Sequence, residues 1–363
     1  MEVVDVVAVP DLRVPAPRSV FVTVFLRARA GHRRSPRARI LASRRGPVKE
    51  RAGPRRFAAL PALLLLAASG CAPAPPTGRP VAAATIAPLA DLAARVAGPD
   101  WEVRTVVPPG ISAHVFEPEP SDVRRLASAR IVVVVGAGYD GWVRRMAEAC
   151  ASNAPVHDTA LSLGIGAGEG SEPHEHDHGE GHDHGHGAED PHWWLSPALT
   201  ARAIGPLAEA FAGVDPAGRE AYRARARALE AELEALDREI EARLRPVKGR
   251  SFVAAHAAWS HFAGRYGLRE RGAIEPVPGR EPSARELKAL VDGAREAGDG
   301  VLFTEPQFPV GAARAVASDA GLGLVLVDPI GGVPTRATYA ETMRFNATAF
   351  LTGLSARAGR PEA

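Results

Sequence analysis

The chain has 363 residues, of which 46% are hydrophobic and 24% charged, a globular composition with room for two domains. The formal net charge is +2, but residues 1–56 carry 14 Lys and Arg against 4 Asp and Glu, which leaves 30 basic and 38 acidic residues in the rest of the chain. The acidic remainder argues against a basic surface for nucleic acid, so no nucleic-acid partner is expected.

The first 47 residues are rich in Arg and Pro and contain one short apolar stretch, residues 20–26. One interpretation is an over-extended gene start, with translation beginning near Val48. The other is a disordered arm. Under both interpretations residues 1–47 are not part of the fold.

A secretory signal is predicted for residues 48–70. Two arginines precede an apolar run at 57–68, and small residues and then Cys71 follow it, which is the order of a signal peptide. The run is shorter than the ~20 residues that a helix needs to span a bilayer. The letters ASGC that end at Cys71 resemble a bacterial lipobox, in which the cysteine carries lipid and becomes the mature N-terminus. A plain signal peptide with a chance cysteine is the alternative.

An α/β lobe is predicted for residues 81–213, after a tether rich in Pro, Ala and Gly at 71–80. We expect a short strand, an amphipathic helix that ends at Gly98, a second strand, a helix with Ser121 as its N-cap and a fully buried strand in RIVVVV. Valine runs between helices indicate parallel strands covered on both faces, and the alternation of strands and helices indicates an α/β lobe.

One long linking helix is predicted for residues 214–246, after a helix that starts at Ser196 and Pro197. Its apolar residues are spaced by three or four with charges between them; they are Tyr222, Ala226, Leu229, Leu233, Leu236, Ile240 and Leu244. Such a stripe forms a coiled-coil dimer or packs on the protein's own lobes. We expect the second arrangement and therefore a monomer.

The stretches SFVAAH, GAIEP, VLFTEP and GLVLVDPIGG predict four more strands, separated by helices, in a second α/β lobe at 247–357. The predicted fold class is thus α/β, with two Rossmann-like lobes joined by a long helix. Two such lobes form a clamp, and ligands are expected in its cleft.

Four residues at strand ends or strand-to-loop junctions are candidate metal ligands: His114, His192, His256 and Asp328. Three imidazoles and one carboxylate suit Zn²⁺, and sites dominated by imidazole favour zinc and its late-transition neighbours. Spacing alone does not establish the site, since a lone histidine at a strand end is more often a structural hydrogen-bonding group.

Five segments, spread in order over residues 80–355, resemble the solute-binding lipoproteins of metal-importing ABC transporters (the ZnuA/TroA type, cluster 9 family). They are PPGISAHVFEPEPSDVRRLASARIVVVVGAGYDGW, DPHWWLSP, FVAAHAAWSHFAGRYGL, VLFTEPQFP and VLVDPIGG. The resemblance implies metal ligands at His114, His192 and His256, with Asp328 a fourth ligand or close to one. The manganese-binding branch has a carboxylate where this chain has His256, which favours zinc.

The chain also departs from the family pattern. It has Ser112-Ala113 where Asp-Pro is usual, and Ala257 where Asp is usual. We expect these changes to alter the tightness of metal binding and not the identity of the ligands. Because histidine must be deprotonated to bind metal, the affinity should fall below about pH 6.5.

A glycine-rich, charged segment at 171–190 contains six further histidines: His174, His176, His178, His182, His184 and His186. Its composition is typical of a flexible loop. It is either an accessory loop that holds metal ions weakly or a solvated insertion. Trp193 and Trp194 are expected to pack in the core beside His192, and His261 to be structural. Glu305 is given no role as a ligand.

The resemblance implies a non-enzymatic receptor that captures Zn²⁺ and delivers it to an ABC permease driven by an ATPase. It would be lipid-anchored in the periplasm or on the extracytoplasmic face of the cell membrane. The alternatives are a receptor for manganese or another divalent metal, a metal-binding adhesin and a zinc hydrolase. The hydrolase is disfavoured because the sequence has no H-E-x-x-H motif and no Glu placed beside a ligand histidine as a base.

Overall fold

The computed structural model describes residues 78–150, 153–166, 190–276, 279–280, 282–298 and 300–356. The predicted signal peptide, Cys71 and the six clustered histidines (His174, His176, His178, His182, His184 and His186) lie outside these residues. All described residues belong to one compact unit, residues 71–363. Among them, no helix has the length and apolar character needed to cross a membrane.

The N-terminal lobe is a parallel four-stranded sheet covered by helices. The strands are β1 (Val81–Ala84), β2 (Glu102–Thr105), β3 (Ile131–Val134) and β4 (Val156–Asp158), in the order β2-β1-β3-β4. The helices are α1 (Ala87–Ala97), α2 (Pro120–Ala127), α3 (Gly141–Ala149) and α4 (Thr159–Ser162). The valine-rich strand β3 is buried at all four positions, as its unbroken apolar run predicts.

The start of α2 differs from the prediction. The N-cap is Glu119 and not Ser121, which lies one residue inside the helix. Pro120 occupies the first helical position, where its fixed φ suits a helix and its missing N–H costs nothing. Asp122 completes a capping box, since its carboxylate accepts a hydrogen bond from the Glu119 N–H at 2.9 Å.

The C-terminal lobe repeats the same topology. Its strands are β5 (Ser251–His256), β6 (Arg269–Glu275), β7 (Val301–Thr304) and β8 (Gly323–Leu326), all parallel, in the order β6-β5-β7-β8. Its helices are α7 (Ser260–Tyr266), α8 (Ala284–Glu296), α9 (Val310–Ala320) and α10 (Tyr339–Ser355), after α5 (Pro197–Val214) and α6 (Arg219–Leu244) nearer the N-terminus. The predicted fold of two α/β lobes is confirmed, while the residue boundaries assigned to the lobes stay predictions.

The linking helix α6 is shorter at both ends than predicted but buries the predicted stripe. All seven apolar positions are buried, and they join one core with residues of both lobes. This confirms that the stripe packs on the protein's own lobes. Asp237, on the same face of α6, accepts hydrogen bonds from Arg265 at 3.0 Å and from Tyr266 at 3.1 Å, which ties α6 to the C-terminal lobe.

Two further hydrogen bonds join the lobes behind the cleft. Trp194 Nε1 donates to the carbonyl oxygen of Pro329 at 2.8 Å, and the Tyr339 hydroxyl donates to the carbonyl oxygen of Trp194 at 2.7 Å. All three residues are buried or line the cleft. The lobes are therefore fixed to each other beside the site where the predicted ligands meet.

Candidate metal centre

The three histidines predicted as ligands lie at the ends of elements that face the cleft. His114 is in the loop after β2, where its backbone N–H donates to Ser112 Oγ at 3.3 Å. His192 immediately precedes a 3-10 turn, Trp193–Leu195, and His256 is the last residue of β5. In open parallel sheets, the carboxyl ends of the strands beside the point where the strand order reverses are the usual place for a ligand. In the C-terminal lobe that point lies between β5 and β7.

The structure brings these three imidazoles together. The His114 and His192 Nε2 atoms are 3.1 Å apart, and the His256 and His192 Nε2 atoms are 3.3 Å apart. One ring nitrogen from each histidine lies within 4.8 Å of the others. Zinc–nitrogen bonds of 2.0–2.1 Å in a tetrahedron require nitrogens about 3.3–3.4 Å apart. The spacing of these nitrogens therefore fits a first-row metal ion.

Two of the histidines are held in one tautomer by carboxylates. His192 Nδ1 lies 2.6 Å from Asp190 Oδ1, and His256 Nδ1 lies 2.8 Å from Glu305 Oε2. An ionised carboxylate only accepts hydrogen bonds, so both Nδ1 atoms carry the proton and both Nε2 atoms present a lone pair. Lone pairs facing each other at 3.3 Å repel, and a cation bound between them would attract both and offset this repulsion.

These carboxylates are themselves held in place. The Ser260 hydroxyl donates to Asp190 Oδ2, and His261 Nε2 donates to the carbonyl oxygen of Asp190 at 2.9 Å, which agrees with a structural role for His261. Glu305 is buried, and its Oε1 accepts from Trp259 Nε1 at 3.1 Å. Metal-binding histidines commonly have such partners on the other ring nitrogen.

Sequence reasoning missed Asp190 and set Glu305 aside. The signal for Asp190 was its position two residues before His192 in the letters EDPH. The signal for Glu305 was that it directly follows β7, the neighbour of the strand that ends in His256. Both residues orient candidate ligands, a role that a search for ligands alone does not detect.

Aromatic rings form the wall behind the histidines. The Tyr139 ring packs edge-on against His114 with ring centroids 4.3 Å apart, and the Trp194 ring lies 5.2 Å from that of His192. Trp193 is fully buried, and its Nε1 donates to the carbonyl oxygen of Val135 at 3.1 Å. The prediction that both tryptophans pack in the core beside His192 is confirmed.

The three imidazoles differ in how readily they take up a proton. Burial, followed by the charges that His192 and His256 would carry, lowers the pKa of His114 to about 3. Burial also lowers the pKa of His192, although Asp190 opposes this effect. Burial acts in the same direction on His256, but the charge and hydrogen bond of Glu305 outweigh it, so the pKa of His256 is raised above 6.5. Of the three, His256 is therefore the first to take up a proton as the pH falls.

Asp328 is the predicted site residue that the structure does not bring into this group. Its buried carboxylate pairs with Arg336 at 2.8 Å through Oδ2, while Oδ1 accepts from the backbone N–H groups of Ile330 and Gly331. Within the described part of the chain, the potential metal-holding group contains His114, His192 and His256 alone. Both oxygens of Asp328 are occupied in this arrangement, so the expectation that Asp328 is a fourth ligand or lies close to one stays a prediction.

The histidines open into a cavity of about 250 Å³ lined by both lobes. It is smaller than the roughly 300–1,000 Å³ typical of sites for organic ligands and is ample for a hydrated ion. Residues 111–115, here called the mouth loop, contribute Ser112, His114 and Val115 to the cavity lining. Its residues Ile111 and Val115 are 43% and 58% exposed, whereas Ala113 is fully buried.

Two α/β lobes clamped on a cluster of metal-facing histidines define a solute-binding receptor for a metal ion. The family model described as "Zinc-uptake complex component A periplasmic" matches residues 83–353, and the chain belongs to this family. Members are periplasmic or extracytoplasmic metal-binding receptors of ABC uptake systems and not enzymes. The predictions of a metal receptor without enzymatic activity are therefore confirmed.

Individual relatives differ in the metal for which they are named. The high-affinity zinc uptake system protein ZnuA of Yersinia pestis is 28% identical over 260 residues, which are 68% of this chain and 82% of the relative. The manganese-binding lipoprotein MntA of Halalkalibacterium halodurans is 27% identical over 273 residues, 74% and 86% of the two chains. A crystal structure of ZnuA is 30% identical, with a TM-score of 0.64 over 76% of this chain and 99% of that chain.

Proposed function

We propose that this protein is a zinc receptor that captures Zn²⁺ outside the cytoplasm and delivers it to an ABC permease driven by an ATPase. The observation that carries the proposal is the convergence of three Nε2 atoms, two of them fixed as lone-pair donors by Asp190 and Glu305. The ligands are His114, His192 and His256. The likeness to the zinc uptake protein of Yersinia pestis supports the role in uptake.

The choice of zinc over manganese rests on the chemistry of the donors. The converging group consists of three imidazole nitrogens and includes no carboxylate among the described residues. Imidazole nitrogen suits zinc, whereas manganese prefers oxygen ligands. A relative of similar identity is named for manganese, so the titration below compares both metals.

The membrane anchor and the histidine-rich segment belong to the proposal as well. Lipid attached to Cys71 would hold the receptor at the membrane beside the permease. The six histidines from His174 to His186 would bind zinc weakly and raise its local concentration. Neither feature is needed for the site formed by His114, His192 and His256.

A zinc and manganese titration with bound-metal analysis tests this function. It uses residues 72–363 with and without residues 171–188, so that the cleft is separated from the histidine-rich segment. We expect one tightly bound zinc per chain in both forms, with weaker binding of manganese. His114→Ala and His256→Ala should abolish tight binding, whereas His157→Ala, on β4 and outside the cavity lining, should retain it. Tight binding that disappears with residues 171–188 would contradict the proposal.

A further inference from the structure

We propose that Glu275 supplies a carboxylate as the fourth ligand to the metal ion held by the three histidines, in the place first expected for Asp328. The proposal rests on the metal-receptor function. Glu275 is the last residue of β6, and it is paired in register with His256, the last residue of β5. Both residues line the same cavity.

An irregularity in the pairing of β5 with β6 places Glu275 in this position. Phe252 pairs with Glu270, but the next residue, Val253, pairs with Gly272, so one residue of β6 is skipped. Without this shift the partner of His256 would be Ile274, which is buried in the apolar core of the lobe. Because successive residues of a strand point to opposite faces, the shift exchanges an apolar side chain for a carboxylate beside the ligand.

The end of β6 is fixed to the element that carries His256. The Ala257 N–H donates to the carbonyl oxygen of Glu275 at 3.2 Å, so the pairing continues past the last residue of β5. Paired residues of neighbouring strands lie roughly 5 Å apart, and side chains in register point to the same face. The backbone of Glu275 is therefore held within side-chain reach of a metal ion on His256.

The other carboxylates around the site are already engaged, including that of Glu270, which accepts a hydrogen bond from the backbone N–H of Trp259. Asp190 binds His192 and Ser260, and Glu305 binds His256 and Trp259. Asp328 is paired with Arg336, as described above. By contrast, no side-chain hydrogen bond or ion pair to another described residue holds the Glu275 carboxylate, although it lines the cavity. It is the carboxylate that can turn towards an ion without breaking an existing contact.

A fourth ligand that is an oxygen atom would complete the coordination of the ion. Three neutral imidazoles bring no charge to a divalent ion, and a glutamate oxygen at ~2.0–2.2 Å would give a tetrahedral set of three nitrogens and one oxygen. In the conformation described, the Glu275 oxygens are not among the atoms that lie within 4.8 Å of one another. Rotation about its side-chain bonds is therefore required for Glu275 to reach an ion held by the histidines.

The test uses Co²⁺ as a spectroscopic substitute for zinc in the full chain, because its visible absorption bands report the ligands directly. We expect Glu275→Gln to change these bands and to weaken zinc binding about tenfold or more, while Asp328→Asn leaves the bands unchanged. Glu117→Gln is the matched control, since it removes one charge three residues from His114 but its side chain does not line the cavity. Glu275→Gln without metal should melt at the temperature of the unsubstituted protein.

Each outcome decides between ligation and alternatives. If Glu275→Gln keeps the Co²⁺ bands and binds zinc as Glu117→Gln does, Glu275 is not a ligand and the proposal is overturned. A change of bands in Asp328→Asn alone would return the role to Asp328. Failure of the proposed receptor function would give a result distinct from failure of the Glu275 proposal. The unsubstituted chain would then bind no stoichiometric zinc, or His114→Ala would bind zinc unchanged.

Discussion

The back of the cleft and the mouth loop hold their histidines in different ways. At the back, His192 and His256 are oriented by buried or half-buried carboxylates, beside hydrogen bonds that join the two lobes. At the mouth, His114 is carried by a loop, where it contacts Tyr139 and flanks exposed apolar residues. The difference predicts that the back sets the geometry of the proposed metal site in advance and that the mouth loop completes it.

The largest expected effects come from removing a histidine on each side of this division. His192→Ala and His114→Ala each remove a ligand, so both should weaken zinc binding by more than the ~10–100-fold typical of changes to orienting groups. Of the two, only His192→Ala should also lower the stability of the metal-free protein, by about 1–3 kcal/mol. It removes a buried imidazole and its hydrogen bond to Asp190, whose carboxylate keeps the backbone N–H of residue 192 and the Ser260 hydroxyl. Zinc titration and thermal unfolding of both variants measure this. Equal losses of stability in the two variants would contradict the distinction between the back of the cleft and the mouth loop.

Changes to the orienting carboxylates should have the next largest effect. Glu305 accepts from an N–H donor on each oxygen, so Glu305→Gln places an amide NH₂ against His256 or Trp259 and should weaken zinc binding about 100-fold. Asp190→Asn should cost only about tenfold, since the Ser260 hydroxyl can accept from an amide. Competition with a zinc chelator measures both constants. A larger loss of zinc affinity in Asp190→Asn than in Glu305→Gln would show that the hydrogen-bond donors around each carboxylate do not determine the size of the loss.

The pH dependence of zinc binding should follow His256. Zinc requires a neutral imidazole, and the pKa of His256 is raised above 6.5 because Glu305 outweighs burial. Below that raised pKa one proton must leave for each zinc bound, so the dissociation constant should rise about tenfold per pH unit. His114, with its pKa lowered to about 3, does not compete near neutral pH. Titrations from about pH 5 to about pH 8 test this, and Glu305→Gln should move the onset to lower pH. A flat profile in the unsubstituted protein would contradict the assignment.

The smallest effect is expected at the mouth loop. Val115 is 58% exposed, so Val115→Ala should change the free energy of unfolding by no more than about 0.5 kcal/mol. Its zinc affinity should stay unchanged, because Val115 lines the cavity without offering a ligand. Chemical denaturation and zinc titration check both values. A marked loss of affinity would mean that the mouth loop positions His114 through Val115.

The sequence predicted the two lobes, the buried stripe of α6 and the three histidines, because periodicity and the resemblance both act through local patterns. It did not predict which side chain would take each carboxylate. Arg336 reaches Asp328 only after the chain reverses between them, where the Gly332 N–H donates to the carbonyl oxygen of Arg336 at 2.9 Å. The partnership of Glu305 with His256 likewise depends on the pairing of β5 with β7.

The register of β6 was equally out of reach of the sequence. A shift of one residue at Phe252 and Val253 determines whether Ile274 or Glu275 stands beside His256. Nothing in the local residue pattern marks that shift. The β-branched residue of β6 is Ile274, and it lies on one face of the strand in either register. Contacts between distant segments therefore decide the details of the site after local patterns have set its location.

Anomalous diffraction at the zinc absorption edge, from crystals of the zinc-loaded protein, tests the central claim most directly. We predict one strong peak per chain in the cleft, bonded to the Nε2 atoms of His114, His192 and His256 at about 2.0–2.1 Å. The Nδ1 atoms of His192 and His256 should remain on Asp190 and Glu305. A peak bonded to other residues, or to Nδ1 of these histidines, would contradict the account.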